Sequence, residues 1–227
     1  MTQNQTKPNQ TTKLIVFGAS GRTGRAVVAE ARRRGLAVTE AGRADGSVTD
    51  PADVARLAAG HDAAVVAVHD PAVLPGAYFP AVARALAEGL PAAGVGRLVS
   101  VGLASVLPTA TGELLMDTPG YPQEWREFYV GHGAGTDALR AAAPDALDWA
   151  VLSPAGDFDH EGTPAGGYAL APARADSRIT QADFARAVVD EVESPTLHRR
   201  HAGVAAARET RAGRQSGLQS PQSQVSK

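Results

Sequence analysis

Some residue types and patterns are absent from this chain of 227 residues. It has no cysteine, which excludes disulfide bonds and thiolate metal sites. Lysine occurs only at Lys7, Lys13 and Lys227, so a Schiff base or a phosphate-loop lysine within the body of the chain is excluded. No apolar run approaches the ~18 residues that a membrane-spanning helix needs.

Charge of neither sign dominates, because the formal net charge is -2. A nearly neutral chain argues against a nucleic-acid binder held by bulk charge. The polar N-terminus has no apolar segment of the kind that secretory signals contain. We therefore expect a cytoplasmic protein that binds neither nucleic acid nor membrane, and we predict no metal site and no particular oligomeric state.

Both ends of the chain have the composition of disordered tails. Residues 1–12 are rich in Gln, Asn and Thr, and residues 207–227 are rich in Ser, Gln and Gly. Neither segment carries enough bulky apolar side chains to offset the entropy lost on ordering. The remaining residues, 13–206, are predicted to form a single domain.

Short apolar runs alternate with longer amphipathic stretches inside this domain. The predicted strands are Leu14–Phe17, Ala37–Ala41, Ala63–Val68, Arg97–Val101, Trp149–Leu152 and Ala202–Ala206. The predicted helices are Thr23–Arg34, Asp50–Gly60, Ala77–Glu88, a broken helix over about Gln123–Ala143, and Thr180–Glu193. This alternation predicts an α/β fold with a doubly wound, mainly parallel sheet and helices on both faces.

The sharpest motif is the sequence GASGRTG at residues 18–24, which follows the first strand and opens the first helix. Gly18 suits a tight turn, Gly21 lets a pyrophosphate approach the backbone, and Gly24 lets the helix pack close to the sheet. The phosphates would then lie on free N–H groups at the helix N-terminus. The glycine loop therefore predicts a dinucleotide site.

Other side chains around this loop bear on which dinucleotide is bound. Ser20 and Thr23 offer hydroxyl donors to the phosphates. Arg43 follows the second strand, where an NADP site places a cation for the 2′-phosphate, and Arg22 is a second candidate for the same role. Glu40 opposes this prediction, since an acid near that position can bind the ribose hydroxyls of NAD. The balance favours NADP(H) over NAD(H).

The G-x-x-G-x-x-G spacing resembles the short-chain dehydrogenase/reductase superfamily, and GASGRTG looks like its atypical NAD(P)H-binding branch of NmrA-like and flavin-reductase-like proteins. Segments 96–102, 147–154 and 177–191 resemble, in order, the subgroup of NADH-flavin reductase-like proteins. The resemblance implies a Rossmann-type domain in which Val48 covers the adenine. It also implies a small substrate-side portion at residues 154–179, which could equally be a passive surface connection.

Typical short-chain dehydrogenases use a Tyr-x-x-x-Lys pair, in which the lysine lowers the pKa of the tyrosine. None of the four tyrosines here has a lysine four residues later. Tyr129 comes nearest to the family's register, but Gly133 stands in the lysine position. A ketone reductase or sugar epimerase of the typical kind is therefore disfavoured, because it would need a proton relay without lysine.

Further candidates for chemistry follow the later strands. Ser105 lies near the family's substrate-side serine. His69 follows a strand at the ligand-binding edge of a parallel sheet and is a candidate contact to the cofactor or the substrate. Tyr121, Trp125 and Phe158 are candidates for a flat ring-binding pocket. The alternatives are a turn hydroxyl for Ser105, a surface histidine for His69 and core packing for the three aromatics.

Two histidine-bearing segments are expected to have no catalytic or metal-binding role. His132 falls at the predicted helix break, and its alternative role is that of a proton donor. The run at residues 198–201, His-Arg-Arg-His, has no carboxylate at ligand spacing and reads as a solvated basic turn.

These observations leave two hypotheses of different classes. The first is an NADPH-dependent reductase of flavins, quinones or similar small electrophiles, which needs chiefly to hold two rings together. The second is a non-catalytic NADP(H)-sensing regulatory protein of the NmrA-like type. An open pocket with aromatic walls favours the enzyme, whereas a filled pocket with an exposed apolar patch elsewhere favours the sensor.

Overall fold

The structure, a computed structural model, describes residues 11–207. Its strands are β1 (Lys13–Phe17), β2 (Ala37–Ala41), β3 (Ala63–Val66), β4 (Arg97–Val101), β5 (Asp148–Pro154), β6 (Asp157–Asp159), β7 (Tyr168–Leu170), β8 (Arg178–Thr180) and β9 (Arg200–Ala206). Its α-helices are α1 (Arg22–Arg33), α2 (Pro51–Ala58), α3 (Pro75–Ala92), α4 (Arg126–Ala142) and α5 (Gln181–Glu193). Short 3-10 helices at Ala104–Val106 and Leu115–Asp117 join β4 to α4. Apart from residues 11, 12 and 207, the predicted tails lie outside the described residues.

The central sheet has the strand order β2-β1-β3-β4-β5-β9-β7. Its strands are parallel except for β7, which pairs antiparallel with β9. The chain runs outward from β1 to β2 and then crosses back to β3, so the strand order reverses between β1 and β3. A crevice at the carboxyl ends of these two strands is the usual ligand site of such a sheet.

Side chains of the central strands alternate between two cores. Ile15 and Phe17 face α2, α3 and α4, whereas Leu14 and Val16 face α1 and α5. Burial on both faces explains why the parallel strands read as unbroken apolar runs. The predicted doubly wound Rossmann-type fold is confirmed.

Helix α4 corrects the prediction of a broken helix, because it is continuous from Arg126 to Ala142. The glycines that suggested a break are packing positions. A Cβ on Gly131 would lie 2.6 Å from Pro75, and a Cβ on Gly135 would lie 2.7 Å from Phe79. The close approach of α3 and α4 offsets the low helix propensity of glycine.

Other boundaries differ modestly from the prediction. β3 ends at Val66 instead of Val68, and α3 extends beyond Ala77–Glu88 at both ends. Pro75 occupies the first turn of α3, where its missing N–H has no intrahelical partner to lose. The substrate-side segment 154–179 is partly regular, because it contains β6 and β7 and enters β8.

The amino edge of the sheet carries a buried ion cluster. Arg97, at the start of β4, donates from Nη2 to Glu191 Oε2 at 2.8 Å and from Nη1 to Asp148 Oδ2 at 2.7 Å. Nearby, Arg34 at the end of α1 is paired with Glu30, Asp190 and Glu193. These charged groups find their partners within the fold.

Within residues 11–207, none of the helices has the length and apolarity needed to cross a membrane.

Candidate functional site

The glycine loop forms a tight turn between β1 and α1. Gly18 has a φ of 80° and donates its N–H to Ala41 O at 3.0 Å. A Cβ on Gly18 would lie 2.2 Å from Ala67 O, and a Cβ on Gly24 would lie 2.1 Å from Gly18 O. Only glycine fits either position, so the loop follows closely the path that a dinucleotide fingerprint requires.

The N-terminus of α1 is open to an anion. Its N-cap is Gly21, so no side chain there satisfies the first-turn N–H groups. Ser20, Gly21 and Arg22 are exposed, and Thr23 is half-buried. The unpaired N–H groups and the positive end of the helix dipole fit a pyrophosphate.

Arg43 lies directly past β2, beside the glycine loop. Its side chain is 73% exposed, its Nη2 donates to His69 O at 3.2 Å, and its distance to Asp70 Oδ1 is 3.5 Å. Glu40, the rival candidate for the ribose, instead pairs with Arg32 on α1 at 2.8 Å. Arg43 is therefore the exposed cation at the end of β2 where a 2′-phosphate would lie.

Arg22 extends in a different direction from Arg43. Its Nη1 lies 3.4 Å from His160 Nε2, in the segment that follows β6, and His160 Nδ1 lies 2.8 Å from Gln181 Nε2 at the start of α5. The structure thus does not bring the two arginines together as the sequence suggested. Arg22 borders the substrate-side portion of the site.

Val48 lies in the loop between β2 and α2, half-buried against the core. Asp53 fixes this loop by accepting the N–H of Ser47 at 2.8 Å. That hydrogen bond, followed by the one from Arg56, holds the pKa of Asp53 below its usual value. The loop is therefore well defined at the position where the resemblance expects the adenine.

A cavity of about 470 Å³ opens at the carboxyl edge, past β4. It brings together Tyr121 and Trp125, which the sequence proposed for one ring-binding pocket, with Ser105 and Tyr129, which were separate candidates. Ser105 is 1% exposed, and its Oγ lies 3.0 Å from Tyr121 Oη. The cavity has the size and the apolar, aromatic lining of a small-molecule site.

Tyr129 forms part of the cavity wall from the first turn of α4. Its ring lies edge-on to Tyr121, with centroids 5.5 Å apart. Burial raises the pKa of the Tyr129 phenol, and Tyr121 and Glu124 raise it further. A Cβ on Gly133 would lie 3.2 Å from Val106 Cγ1. Val106 therefore packs against the position where the family has its lysine.

His69 connects the glycine-loop side to the cavity. Its ring stacks near Phe79, with centroids 6.3 Å apart, and meets Phe128 edge-on at 5.1 Å. Phe128 lines the cavity. The His69 backbone therefore contacts Arg43 while its ring supports a cavity wall.

Residues 40–195 match the model of a family described as NAD(P)H-binding. The chain belongs to this NAD(P)H-binding family. The match begins after the glycine loop, so the loop geometry at residues 18–24 supports the same conclusion independently. This membership identifies the chain as an NAD(P)H-binding protein and confirms the resemblance to the atypical branch of the short-chain dehydrogenases/reductases.

Relatives of known sequence or structure agree with this membership. The uncharacterized protein YwnB of Bacillus subtilis (strain 168) is 34% identical over an alignment of 203 positions, which covers 81% of this chain and 93% of YwnB. A solved structure named as a putative NADH-flavin reductase of Streptococcus pneumoniae TIGR4 is 28% identical, with a TM-score of 0.70 over 86% of this chain and 99% of that one. A putative epimerase of Bacteroides thetaiotaomicron is 26% identical, with a TM-score of 0.74 over 86% and 97% of the two chains.

Not every expected residue of this NAD(P)H-binding chain reaches the cavity. Phe158 packs edge-on against Phe184 of α5, with centroids 5.2 Å apart, while its neighbour Asp157 lines the cavity. Phe128 and Arg178 line it as well, although the sequence did not single them out. The only sequence feature that could have indicated Phe128 as a cavity residue is its position next to Tyr129.

His132 lies in the middle of α4, not in a loop or helix break. Its ring centroid is 3.7 Å from that of Phe79, and burial, followed by His69 and His201, lowers its pKa to about 3. A histidine with so low a pKa is a neutral imidazole near pH 7, so the imidazolium form that would act as a general acid is not populated.

The basic run at residues 198–201 divides between two environments. His198 Nδ1 lies 2.8 Å from Asp148 Oδ2, and His201 Nε2 lies 2.8 Å from Ser153 Oγ. Burial, followed by the charge of Arg140, lowers the pKa of His201 to about 4. The two histidines serve different contacts at different places on the sheet.

Proposed function

We propose that the protein is an NADPH-dependent reductase that transfers a hydride to a flavin, a quinone or a similar small electrophile. The observation that carries this proposal is the aromatic cavity past β4, which adjoins the dinucleotide crevice through Phe128 and His69. When bound, the reduced nicotinamide supplies a hydride, that is, two electrons and one hydrogen nucleus. The protein supplies the position of the acceptor and the exclusion of water.

The glycine loop and Arg43 divide the binding of the dinucleotide between them. The N–H groups at the start of α1 would hold the pyrophosphate, and Arg43 would pair with the 2′-phosphate. The pairing of Glu40 with Arg32 supports NADPH over NADH, since it occupies the acid that NAD would use. Trp125 and Phe128 would stack on a flat acceptor, and Tyr121 would lie at the edge of the acceptor ring.

The name of the Streptococcus pneumoniae structure supports the acceptor class proposed here. The Bacteroides structure is named as an epimerase, and that activity suits this chain less well. Gly133 leaves Tyr129 without the lysine that proton transfer typically requires.

Stopped-flow oxidation of NADPH in the presence of FMN, FAD and a series of quinones tests the reaction. We expect oxidation that requires the acceptor, and weaker acceptor binding in Trp125→Ala than in wild type. Leu170→Ala is a matched control, because Leu170 is also an exposed apolar residue, on β7, but does not line the cavity. Absence of oxidation with every acceptor would contradict the proposed reaction.

One observation favours the second candidate, a regulatory NADP(H) sensor. Leu74 and Val130 are 68% and 51% exposed, next to the start of α3 and on α4, and such apolar exposure suits a protein partner. A chain that binds NADPH tightly but never oxidises it, and that changes its self- or partner association when NADPH binds, would support the sensor instead.

A further inference from the structure

We infer that Tyr121, and not Tyr129, gives the proton to the reduced acceptor, with Ser105 as its hydrogen-bond partner. This inference rests on the proposed function and assigns the proton donor in the same cavity. It moves the role of the missing Tyr-x-x-x-Lys pair from helix α4 to the loop that precedes it.

The first support is the pairing of the two hydroxyl groups. Ser105 Oγ lies 3.0 Å from Tyr121 Oη, and both residues line the cavity. Ser105 is held in the 3-10 helix that follows β4 and is 1% exposed. A serine hydroxyl can donate one hydrogen bond and accept two, so it can stabilise Tyr121 both as phenol and as phenolate.

The second support is the rigidity of the loop around Tyr121. Its N–H donates to Thr118 O at 3.2 Å, and its carbonyl accepts Gln123 Nε2 at 3.0 Å. Proline flanks it at Pro119 and Pro122. The ring also packs against a small buried cluster of Ala104, Leu107, Leu115 and Ala173. A donor fixed in this way needs little reorganisation during the reaction.

The third support is the environment of the rival phenol. Tyr129 is 7% exposed on α4, and the position four residues later is Gly133, with no cation to stabilise a phenolate. Tyr121 is only half-buried and lies near the exposed Trp125 and Pro122. Solvent can therefore return a proton to Tyr121 more readily than to Tyr129.

After hydride transfer, the acceptor carries an electron pair on the oxygen of a former carbonyl group or on a ring nitrogen. The O–H bond of Tyr121 breaks, its proton forms an O–H or N–H bond on the acceptor, and the electron pair of the broken bond stays on Tyr121 as phenolate. Ser105 donates its O–H to that phenolate, which water at the cavity mouth then protonates. The acceptor class is thus a flat ring with a carbonyl oxygen or an imine-type nitrogen at its edge.

Single-turnover kinetics with NADPH and 1,4-naphthoquinone test this assignment. We expect Tyr121→Phe to lower the rate of NADPH oxidation about 100-fold or more, the usual range for loss of a general acid, and to leave NADPH binding unchanged. Tyr168→Phe is the matched control, because the Tyr168 phenol donates to Asp190 at 2.6 Å, outside the cavity. A full rate in Tyr121→Phe, or a larger loss in Tyr129→Phe, overturns the assignment.

A second measurement detects the hydrogen bond from Tyr121 to the bound quinone without turnover. In wild type and in Tyr129→Phe, the infrared C=O band of bound 1,4-naphthoquinone should lie at a lower frequency than the band of free 1,4-naphthoquinone in water-free solvent. In Tyr121→Phe, the band should return to the frequency of the free quinone. An unshifted band in wild type overturns the role of Tyr121 whatever the rates are. A shifted band in a protein that never oxidises NADPH keeps this contact and removes the proposed reaction instead.

Discussion

The two edges of the central sheet use arginine in opposite ways. At the amino edge, the Arg97 side chain is 9% exposed and bonds to Glu191 and Asp148 at 2.8 and 2.7 Å. At the carboxyl edge, the Arg43 side chain is 73% exposed, with its nearest carboxylate at 3.5 Å. Charged groups that are paired within the protein hold the sheet and helices in place, whereas a solvated guanidinium remains available to an external anion.

The largest effect expected from this contrast is at Arg97. Arg97→Met should lower the free energy of unfolding by about 3–5 kcal/mol, because it leaves the Glu191 carboxylate buried without its partner. Urea unfolding measures the loss. Arg43→Ala is the control and should change stability by less than about 0.5 kcal/mol. Equal losses at the two positions would erase the distinction between the edges.

The next effect concerns the backbone of the carboxyl edge. Gly24→Ala should cost about 1–3 kcal/mol of stability and weaken NADPH binding at least about tenfold, because the new Cβ would meet Gly18 O. Gly76→Ala is the matched control, since no atom lies within 4 Å of a Cβ at that position in α3. Unchanged NADPH affinity in Gly24→Ala would mean that the glycine loop does not hold the dinucleotide.

Arg43 itself should affect binding more than stability. Arg43→Ala should weaken NADPH binding about 10- to 100-fold, which is the contribution of a charge-assisted hydrogen bond. The affinity for NADH should change by no more than about twofold. Calorimetric titration of both dinucleotides measures the ratio. Arg22→Ala should leave that ratio unchanged, because Arg22 extends toward His160. An NADPH affinity that survives in Arg43→Ala would remove Arg43 from the site.

The smallest expected effect depends on pH and lies at the amino edge. Hydrogen bonds from Arg33, and then from Arg34, hold the pKa of Glu30 at about 2 against an ordinary value of 4.5. A carboxylate with a depressed pKa stabilises the fold above its unfolded pKa and loses that contribution as pH falls through its folded pKa. Glu30→Gln should therefore cost about 1 kcal/mol at pH 7.

The difference between wild type and Glu30→Gln should shrink as pH falls from 4.5 toward 2. Urea midpoints across that range measure it. A difference that stays constant with pH would show that the Glu30 charge contributes nothing.

The sequence predicted best where local chemistry and tertiary structure agree. β2 and β4 match their predicted bounds, and the glycine loop lies between β1 and α1 as its spacing required. The helix predicted from Asp50 also begins there, because Asp50 Oδ1 accepts the N–H of Ala52 at 2.8 Å and caps it. Each of these features depends on residues within one short segment.

The sequence predicted less well where distant segments decide the outcome. The continuity of α4 follows from its contact with α3, which no local propensity contains. Ser105 and Tyr121 meet across an irregular connection, so their pairing could not be predicted from spacing. Phe158 packs on Phe184 while its neighbour Asp157 lines the cavity, because successive residues of a strand face opposite sides.

The glycine seam between α3 and α4 has a consequence for how such a chain can diversify. Gly131 and Gly135 set how closely α4 approaches α3, and the same helix carries Phe128 and Tyr129 into the cavity. A larger residue in the seam would displace both aromatic walls as one unit. Substitutions in the seam can therefore change which molecules fit the cavity, although the seam residues touch neither cofactor nor substrate. The reacting groups stay the same while the cavity around them widens.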